Sequence, residues 1–263
     1  MTSSGPTPSK SIQSVDRAAR ILALLASGPR RLGVAEIADR LELARPTVHG
    51  LLQTLRSHGF VEKDRDSDKY QLGPGLLHLG ASYLDVSDLR GRSVAFAEHL
   101  AARVSAAVRV GILQGGQVLV VHHVFRPGSA FQVSEVGLEM PAHATALGKA
   151  IIAFGPPELL ADLTAAPLPK LTRSSKDLTG FRREIDRVRR EVVAFESDEA
   201  VIGESSVAAP VLDRGGVAVG AIGVVGESSR LFADHPEREV ASAVLEAAAG
   251  LSRELGGRLP PRG

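Results

Sequence analysis

Residues 45–56 carry, on one side, side chains whose chemistry suits nucleic acid. At 3.6 residues per turn, Val48, Leu51, Leu52 and Leu55 fall on a single apolar stripe. The opposite side carries basic and hydrogen-bonding groups, namely Arg45, Thr47, His49, Gln53, Thr54 and Arg56. Arginine can pair bidentately with guanine and glutamine with adenine, while threonine and histidine suit phosphate oxygens or single base contacts. The pattern therefore predicts a helix that binds duplex DNA.

Pro46 and Gly50 are the two unusual residues of this helix. Proline is acceptable in a first turn, because its missing N–H has no partner within the helix. Glycine in a helix interior costs about 1 kcal/mol relative to alanine, and a backbone that lies close to DNA would be a reason to accept it. The alternative is an ordinary surface helix of a small bundle, since polar residues outside and leucines inside describe most helices.

The elements around this helix favour the DNA-binding interpretation. Apolar residues at helical spacing predict two earlier helices, near 15–25 and at 34–41. The period then changes to two, which predicts strands at 60–63 and 69–72 around a charged turn. Three helices followed by a small hairpin form a winged helix-turn-helix domain, here residues 11–73, with Lys63 and Lys69 on the wing. The acidic residues of the turn, Asp64, Asp66 and Asp68, argue against close phosphate contact at its tip.

The rest of the chain predicts a second, α+β domain. A polar tail at 1–10 is predicted to be disordered, and a helix within 74–90 is predicted to link the DNA-binding domain to a domain at 91–263. Strands are predicted at 107–113, 117–125 and 131–136, and in a hairpin around 213–216. Helices are predicted at 144–154, 178–191 and 236–255. Two separated hairpins with helices between them indicate a mostly antiparallel sheet.

One helix start in the second domain could bind an anion. In "HATALGKA", residues 143–150, the exposed N–H groups at the start of the helix would attract negative charge, with His143 and Thr145 placed to help. The alternative is an ordinary capped helix. "GAIGVVG" resembles a nucleotide loop only in its letters, because it lies within a predicted strand, and "GESSVAA" lacks the second glycine of a nucleophile elbow.

Composition excludes several other classes of site. The chain has no cysteine, which removes disulfides, thiol nucleophiles and cysteine-based zinc sites, and its 8 histidines lack metal-ligand spacing. We therefore predict no metal and no cofactor. Residues 1–73 hold 11 Lys and Arg against 8 Asp and Glu, so the DNA-binding half is mildly basic although the whole chain has a net charge of +1. No apolar run approaches the ~18 residues of a membrane span, and we expect a cytoplasmic protein with no membrane partner.

Motifs in both halves resemble the IclR-type bacterial transcriptional regulators. They are "SIQSVDRAARILALLA", "LGVAEIADRLELARPTVHGLLQTL", "YQLGPGLLHLG", "PAHATALGKA" and "GESSVAAPVLDRGGVAVGAIGV", in the family's order. The resemblance implies a winged helix-turn-helix domain joined by a helix to a GAF-like effector domain. It also implies a dimer or a dimer of dimers on operator DNA, controlled by a small anionic metabolite.

Carried over by position, the resemblance implies an effector pocket at the helix start and on three later segments. Its residues would be Ala144, Thr145, Ala146, Gly148, Glu196, Ser206, Gly223 and Val225, beside His143. Other motifs, such as "VLVVHHVFRP", are similar to family members that control glycerol operons in actinobacteria. That similarity implies a repressor of carbon catabolism with glycerol 3-phosphate as its effector, the phosphate resting on the amides near Thr145.

The sequence departs from the family pattern at several of these positions. Pro46 and Gly50 stand where the family often has a phosphate-binding serine and an arginine. Gly223 and Val225 stand where carboxylate-binding members often have serine, and Glu204 replaces a usually apolar residue. These departures leave open a regulator of a different catabolic pathway, or one whose second domain serves only assembly. An enzyme that borrows a winged helix would need a cofactor loop after a strand, which the sequence lacks.

Overall fold

The computed structural model of the chain describes residues 12–27, 29, 31–64, 66–86, 88–129, 132–232 and 237–262. The tail predicted at 1–10 lies outside these residues. The chain divides into two compact units between Tyr83 and Leu84, within the segment 74–90 that was expected to link the domains. Each unit has its own apolar core, so each is described separately.

The first unit is a three-helix core with a small sheet. Its elements are α1 (Gln13–Ser27), β1 (Leu32–Gly33), α2 (Val34–Leu41), α3 (Arg45–Ser57), β2 (Val61–Lys63) and β3 (Lys69–Leu72). The apolar stripes predicted from the sequence meet here, with Ile21, Ile37 and Leu52 fully buried. β3 pairs with β2 as predicted and also with β1, a two-residue strand too short to show a period. Helix α4 (Gly75–Val86) follows.

The second unit is a layered α+β domain. Its elements are α5 (Asp88–Val104), β4 (Ala107–Gln114), β5 (Gln117–Val124), β6 (Glu139–Pro141), a 3₁₀ turn (Ala142–Ala144), α6 (Ala146–Phe154), α7 (Pro157–Leu163), α8 (Leu178–Glu191), β7 (Ala194–Ser197), β8 (Glu204–Leu212), β9 (Ala218–Glu227) and α9 (Glu237–Glu254). The strands form one sheet in the order β6-β5-β4-β9-β8-β7, antiparallel at every pairing. α5 and α9 pack on one face of the sheet, and α6 and α8 pack on the other.

Turn chemistry sets the register of the β4–β5 hairpin. Gly115 and Gly116 form its two-residue turn, with φ of 56° and 79°. Two successive residues at positive φ match the right-handed twist of a tight hairpin, and glycine adopts that conformation without steric cost. The mostly antiparallel α+β fold predicted from the sequence is confirmed.

Two predicted elements differ from the structure. The alternating residues at 131–136 form no strand in the part described, 132–136, because the side-chain amide of Gln132 bonds both the N–H and the C=O of Arg126 and holds the segment in a loop. β6 pairs with β5 instead. The helix predicted from Ala144 begins at Ala146, after a 3₁₀ turn. None of the helices among the described residues is both long and apolar enough to cross a membrane.

Candidate functional site

Helix α3 is held by its apolar side and leaves its polar side at the surface. α2 ends where Glu42 takes a left-handed φ of 55°, and its backbone N–H bonds Ala38 O, which closes the helix and starts a short turn. Val48, Leu52 and Leu55 are then buried against the rest of the unit. This is the helix-turn-helix geometry in which the second helix is offered to a DNA groove.

The predicted DNA-contacting residues of α3 lie at the surface of this unit. Arg45, Pro46, His49, Gly50, Thr54 and Arg56 are exposed, and Thr47 and Gln53 are half-buried. Thr54 donates its hydroxyl hydrogen to Gly50 O at 3.2 Å, as a threonine often does within a helix. Among the described residues, the side chains of Arg45, His49, Gln53 and Arg56 have no hydrogen bond or ion pair. Their polar groups therefore require no rearrangement of internal bonds before binding.

Gly50 has no packing role within its unit. A Cβ added there would meet nothing within 4 Å. A conformational role is absent as well, because the residue lies inside a regular helix. Close approach of the helix backbone to DNA remains the explanation that the sequence predicts.

Both wing lysines are paired with carboxylates. Lys63 Nζ lies 2.6 Å from Asp68 Oδ1, and Lys69 Nζ lies 3.4 Å from Glu36 Oε2. The hydrogen bond from Lys63 holds the pKa of Asp68 below its ordinary value. A further basic side chain, Arg31, joins the wing through Asp64 at 2.9 Å; the sequence analysis missed it because Arg31 precedes a strand too short to detect. Phosphate contact by Lys63 or Lys69 would require exchange of these partners.

In the second unit, the predicted effector residues converge across neighbouring strands. Glu196 on β7 faces Ser206 on β8, and Ser206 faces Val225 on β9. Gly223, two residues from Val225, faces Arg109 on β4. Alternation places residues two apart on the same face, so this set occupies one patch of the sheet.

Five of the predicted residues line one internal cavity. They are Thr145, Glu196, Ser206, Gly223 and Val225. The volume of this cavity that water can enter is about 10 Å³, room for about one water molecule. Gly223 has no space for a side chain, because a Cβ there would lie 2.5 Å from Val207 O and 2.6 Å from Ala208 Cβ. A ligand larger than water therefore needs a neighbouring side chain to move.

The remaining predicted effector residues, His143, Ala144, Ala146 and Gly148, are buried outside the lining of this cavity. His143 Nε2 bonds Pro169 O at 2.9 Å, and its ring packs edge-on against Phe181. Gly148 is required for packing, because a Cβ there would lie 2.1 Å from Ala142 O. Thr145 is the N-cap of α6, and its hydroxyl oxygen accepts from Gly148 N at 3.2 Å. The "HATALGKA" segment thus has the geometry of a capped helix, with Thr145 and Leu147 at the cavity.

A chain of bonds connects the cavity to α6. Glu196 Oε2 accepts from the Ser206 hydroxyl at 2.8 Å, and Glu196 Oε1 accepts from Glu199 N at 2.7 Å. Glu199 Oε1 in turn binds Lys149 Nζ at 2.7 Å, and Lys149 on α6 is completely buried. Burial outweighs the bonds from Glu199 N and Ser206 and raises the pKa of Glu196 above its ordinary value.

The cavity also contains a cation that the sequence analysis missed. Arg109 is buried on β4, and its guanidinium binds Glu135 and Glu204. Burial lowers the pKa of Arg109, but the bonds to these carboxylates raise it by more, so it stays above the ordinary value. A lone arginine in an otherwise apolar strand was the available signal, because a buried charge requires partners.

No group of three or more acidic or histidine side chains suited to a metal ion occurs in the part of the chain that the structure describes. The described residues place an exposed polar helix face in one unit and a small cavity with hydroxyl, carboxyl and guanidinium groups in the other, and both arrangements suit binding.

Comparisons with known proteins match both units. Residues 14–65 match the model for the IclR helix-turn-helix domain, and residues 81–253 match the model described as "Bacterial transcriptional regulator IclR C-terminal". The chain is 44% identical over 248 residues to the glycerol operon regulatory protein of Streptomyces griseus, covering 94% of this chain and 98% of that relative. It is 42% identical to the protein of the same name from Streptomyces coelicolor, with the same coverage.

Solved structures agree with the sequence relatives. A crystal structure of a regulator from a Silicibacter species, titled a putative IclR transcriptional regulator, superposes with a TM-score of 0.80 at 26% identity. That match covers 94% of this chain and 98% of the Silicibacter chain. The elements of both units are thus matched by a solved structure, beyond the separate motifs.

Proposed function

The chain belongs to the IclR family of bacterial transcriptional regulators, and from that premise we propose that it represses a glycerol or related carbon-catabolism operon and is modulated by glycerol 3-phosphate. Members of the family bind DNA through the helix-turn-helix and a small molecule through the second domain, and they are not enzymes. The names of the two Streptomyces relatives support the choice of operon. Such a protein acts where the chromosome lies, in the cytoplasm.

The polar face of α3 is the observation on which DNA binding by this chain rests. Its arginine and glutamine side chains lie opposite a buried apolar stripe and have no hydrogen-bond or ion-pair partner among the described residues. We assign base reading to Arg45 and Gln53, and backbone contacts to Thr47, His49, Thr54 and Arg56 together with Lys63 and Lys69 of the wing. Pro46 and Gly50 place the helix backbone against the duplex.

Substitution of the base-reading residues tests this assignment. Arg45→Ala and Gln53→Ala should each relax sequence preference and cost about 1 to 3 kcal/mol of binding free energy on DNA from the gene's own upstream region. Arg190→Ala, an exposed arginine of α8 in the other unit, is the matched control and should leave binding unchanged. Fluorescence anisotropy on matched and mutated sites measures both quantities. Unchanged specificity in both variants would remove them from the base-reading set.

The effector proposal rests on the cavity beside Thr145. Ser206 and Glu196 offer hydrogen-bonding groups for hydroxyls, and His143, Ala144, Ala146 and Gly148 form the rigid support of the helix start behind it. Glycerol 3-phosphate should raise the melting temperature of the full chain if it binds the folded state preferentially. Absence of a shift at millimolar concentration would remove this ligand and leave the family assignment intact.

Assembly is part of the proposal. We propose a homodimer, alone or paired into a dimer of dimers, because a symmetric oligomer matches a partly palindromic operator. Sedimentation velocity on the free protein and on the DNA complex distinguishes these states from a monomer, which would contradict the proposal.

A further inference from the structure

Arg109 donates four of its five N–H groups to two carboxylates, and Nη1 also donates to Met140 Sδ at 3.9 Å. Nε and Nη2 bind the two oxygens of Glu135 at 2.5 and 2.8 Å, while Nη1 and Nη2 bind those of Glu204 at 2.9 and 3.4 Å. Only 9% of the arginine side chain is exposed, whereas the carboxylates are exposed by 29% and 28%. The cluster therefore has one buried cation and two anions that reach its edge.

The cluster of Arg109, Glu135 and Glu204 lies between two spaces. The internal cavity of about 10 Å³ lies on one side, and an open cleft of about 400 Å³ lies on the other. Arg109 and Glu204 contribute to the walls of both, whereas Glu135 faces the cleft. Arg109 is thus shared by both spaces, whereas Ser206 and Glu196 line the internal cavity alone.

The charges around both spaces leave an anion one favourable partner. Arg109 is the one strongly basic side chain among the described residues that line either space. His123 lines the cleft as well, but burial holds its pKa below the ordinary value and keeps it neutral at pH 7. The other ionisable groups there are carboxyls, which repel an anion. Among the side chains that line the two spaces, Arg109 is therefore the one best suited to bind an anion.

We propose that Arg109 is the anion anchor of the effector domain, and that the phosphate or carboxylate of the ligand replaces Glu135 on its guanidinium. This inference rests on the proposed function, in which the domain binds a small anionic effector. The exchange conserves hydrogen bonds, because one bidentate oxyanion replaces another.

Glu135, rather than Glu204, is the carboxylate that can leave. Glu204 begins β8, and its backbone is fixed by strand pairing opposite Glu227 on β9. Glu135 lies in the irregular segment 132–138, where its backbone N–H bonds His123 Nδ1 at 3.3 Å, so the exchange moves its side chain and leaves its backbone in place. Val133 in this segment and Ile202 across the cleft are exposed apolar side chains, 84% and 77%, that can cover a bound ligand.

The arrangement specifies a class of ligand. An oxyanion at Arg109 places the rest of a small molecule towards Ser206 and Glu196, which suit hydroxyl groups. A short polyol phosphate or a hydroxy acid has this distribution of groups. The phosphate would then lie at Arg109 instead of on the amides near Thr145.

Calorimetric titration of the full chain with glycerol 3-phosphate and, separately, with inorganic phosphate tests the proposal. Glu135→Gln removes the competing charge and should tighten binding of both probes about tenfold. Glu139→Gln is the control, because it removes one negative charge from an exposed residue of β6 that has no ion pair among the described residues, and it should change affinity less than twofold. The double variant Arg109→Gln/Glu135→Gln should lose the gain, with its fold checked by circular dichroism.

The outcomes separate this inference from the proposed effector. If wild-type protein ignores glycerol 3-phosphate but Glu135→Gln binds inorganic phosphate through Arg109, the effector assignment fails and the anchor stands. If Glu135→Gln binds neither probe more tightly than wild type, or if the folded double variant retains the gain, the anchor is overturned, whatever the wild type binds.

Discussion

Gly50 and Gly148 both lie in helices, yet for opposite reasons. A methyl group at Gly50 would enter open space, whereas one at Gly148 would meet the backbone of Ala142 at 2.1 Å. From the sequence alone, both glycines have the same free-energy cost in a helix relative to alanine. The surrounding structure decides which glycine serves packing and which is left for an external partner.

Gly50→Ala should stabilise the first unit and weaken its binding to DNA. Alanine is better than glycine in a helix interior by about 1 kcal/mol, and nothing in the unit opposes the methyl group. Chemical denaturation and anisotropy on the same operator measure the two effects. Gly148→Ala is the contrasting variant and should destabilise its unit. DNA affinity unchanged in Gly50→Ala would show that the helix backbone does not approach the duplex at this position.

Glu196→Gln should raise stability at neutral pH and have little effect in acid. Burial raises the pKa of Glu196 above 4.5, so between the unfolded and folded values the folded state holds a proton that the unfolded state has lost. The free energy of unfolding contributed by this group therefore falls as the pH rises through that window. Glutamine can keep both bonds, accepting from Glu199 N and donating to Ser206.

Urea denaturation of both proteins from pH 4.5 to 8 measures this difference. The advantage of the glutamine variant should grow with pH and then level off above the raised pKa of Glu196. An advantage that shrinks towards pH 8 would contradict the assignment of a raised pKa.

At the scale of elements, the wing combines basic and acidic side chains. Lys63 is bound to Asp68, which is 96% exposed, so the pair is accessible to solvent and to DNA. An exposed ion pair of this kind is weak and exchanges readily. The wing can therefore contact phosphate only to the extent that the lysine leaves its carboxylate.

Asp68→Asn should strengthen DNA binding and steepen its dependence on salt. Freeing Lys63 adds one phosphate contact, which changes the slope of log affinity against log salt by about one. Asp66→Asn removes the same charge from the same turn and is the control, because Asp66 has no ion pair with Lys63. Equal effects of both substitutions would indicate general electrostatics instead of a released lysine.

Helices and strands with a regular spacing of apolar residues were predicted closely. Elements that depend on contacts with residues distant in sequence were not. α8 lies at 178–191 as its apolar spacing predicts, and the Gly115–Gly116 turn follows from residue type. β1 and β6 are short strands that owe their existence to neighbours. The loop at 132–136 depends on a side-chain amide, a contact that alternation of residues does not encode.

The candidate site was predictable where it follows strands and unpredictable where it depends on charge pairing. Glu196, Ser206 and Val225 meet because consecutive antiparallel strands place them in register. Arg109, Glu135 and Glu204 are distant in sequence, and their contact depends on a loop path. His143 was placed near the ligand by its position in the motif, whereas its ring bonds Pro169 instead.

For the whole molecule, the division into two units predicts separate responses to the two ligands. Operator DNA should stabilise the unit that contains α3, and an effector should stabilise the unit that contains the cavity, because a ligand stabilises the state to which it binds. Differential scanning calorimetry of the full chain should then show two transitions that shift selectively. A single transition that rises equally with either ligand would instead indicate that the units unfold as one.

The wholly buried ammonium of Lys149 determines how a molecule bound in the cavity affects helix α6. Glu199 holds that ammonium with its side chain and holds Glu196 with its backbone N–H. A molecule that draws Glu196 towards itself must also disturb the counter-ion of a charge that has no access to water. A ligand that moves Glu196 thus changes the electrostatic environment of α6 through Glu199 and Lys149. A purely apolar ligand would leave Glu196 in place, and it would fill the same space without affecting α6.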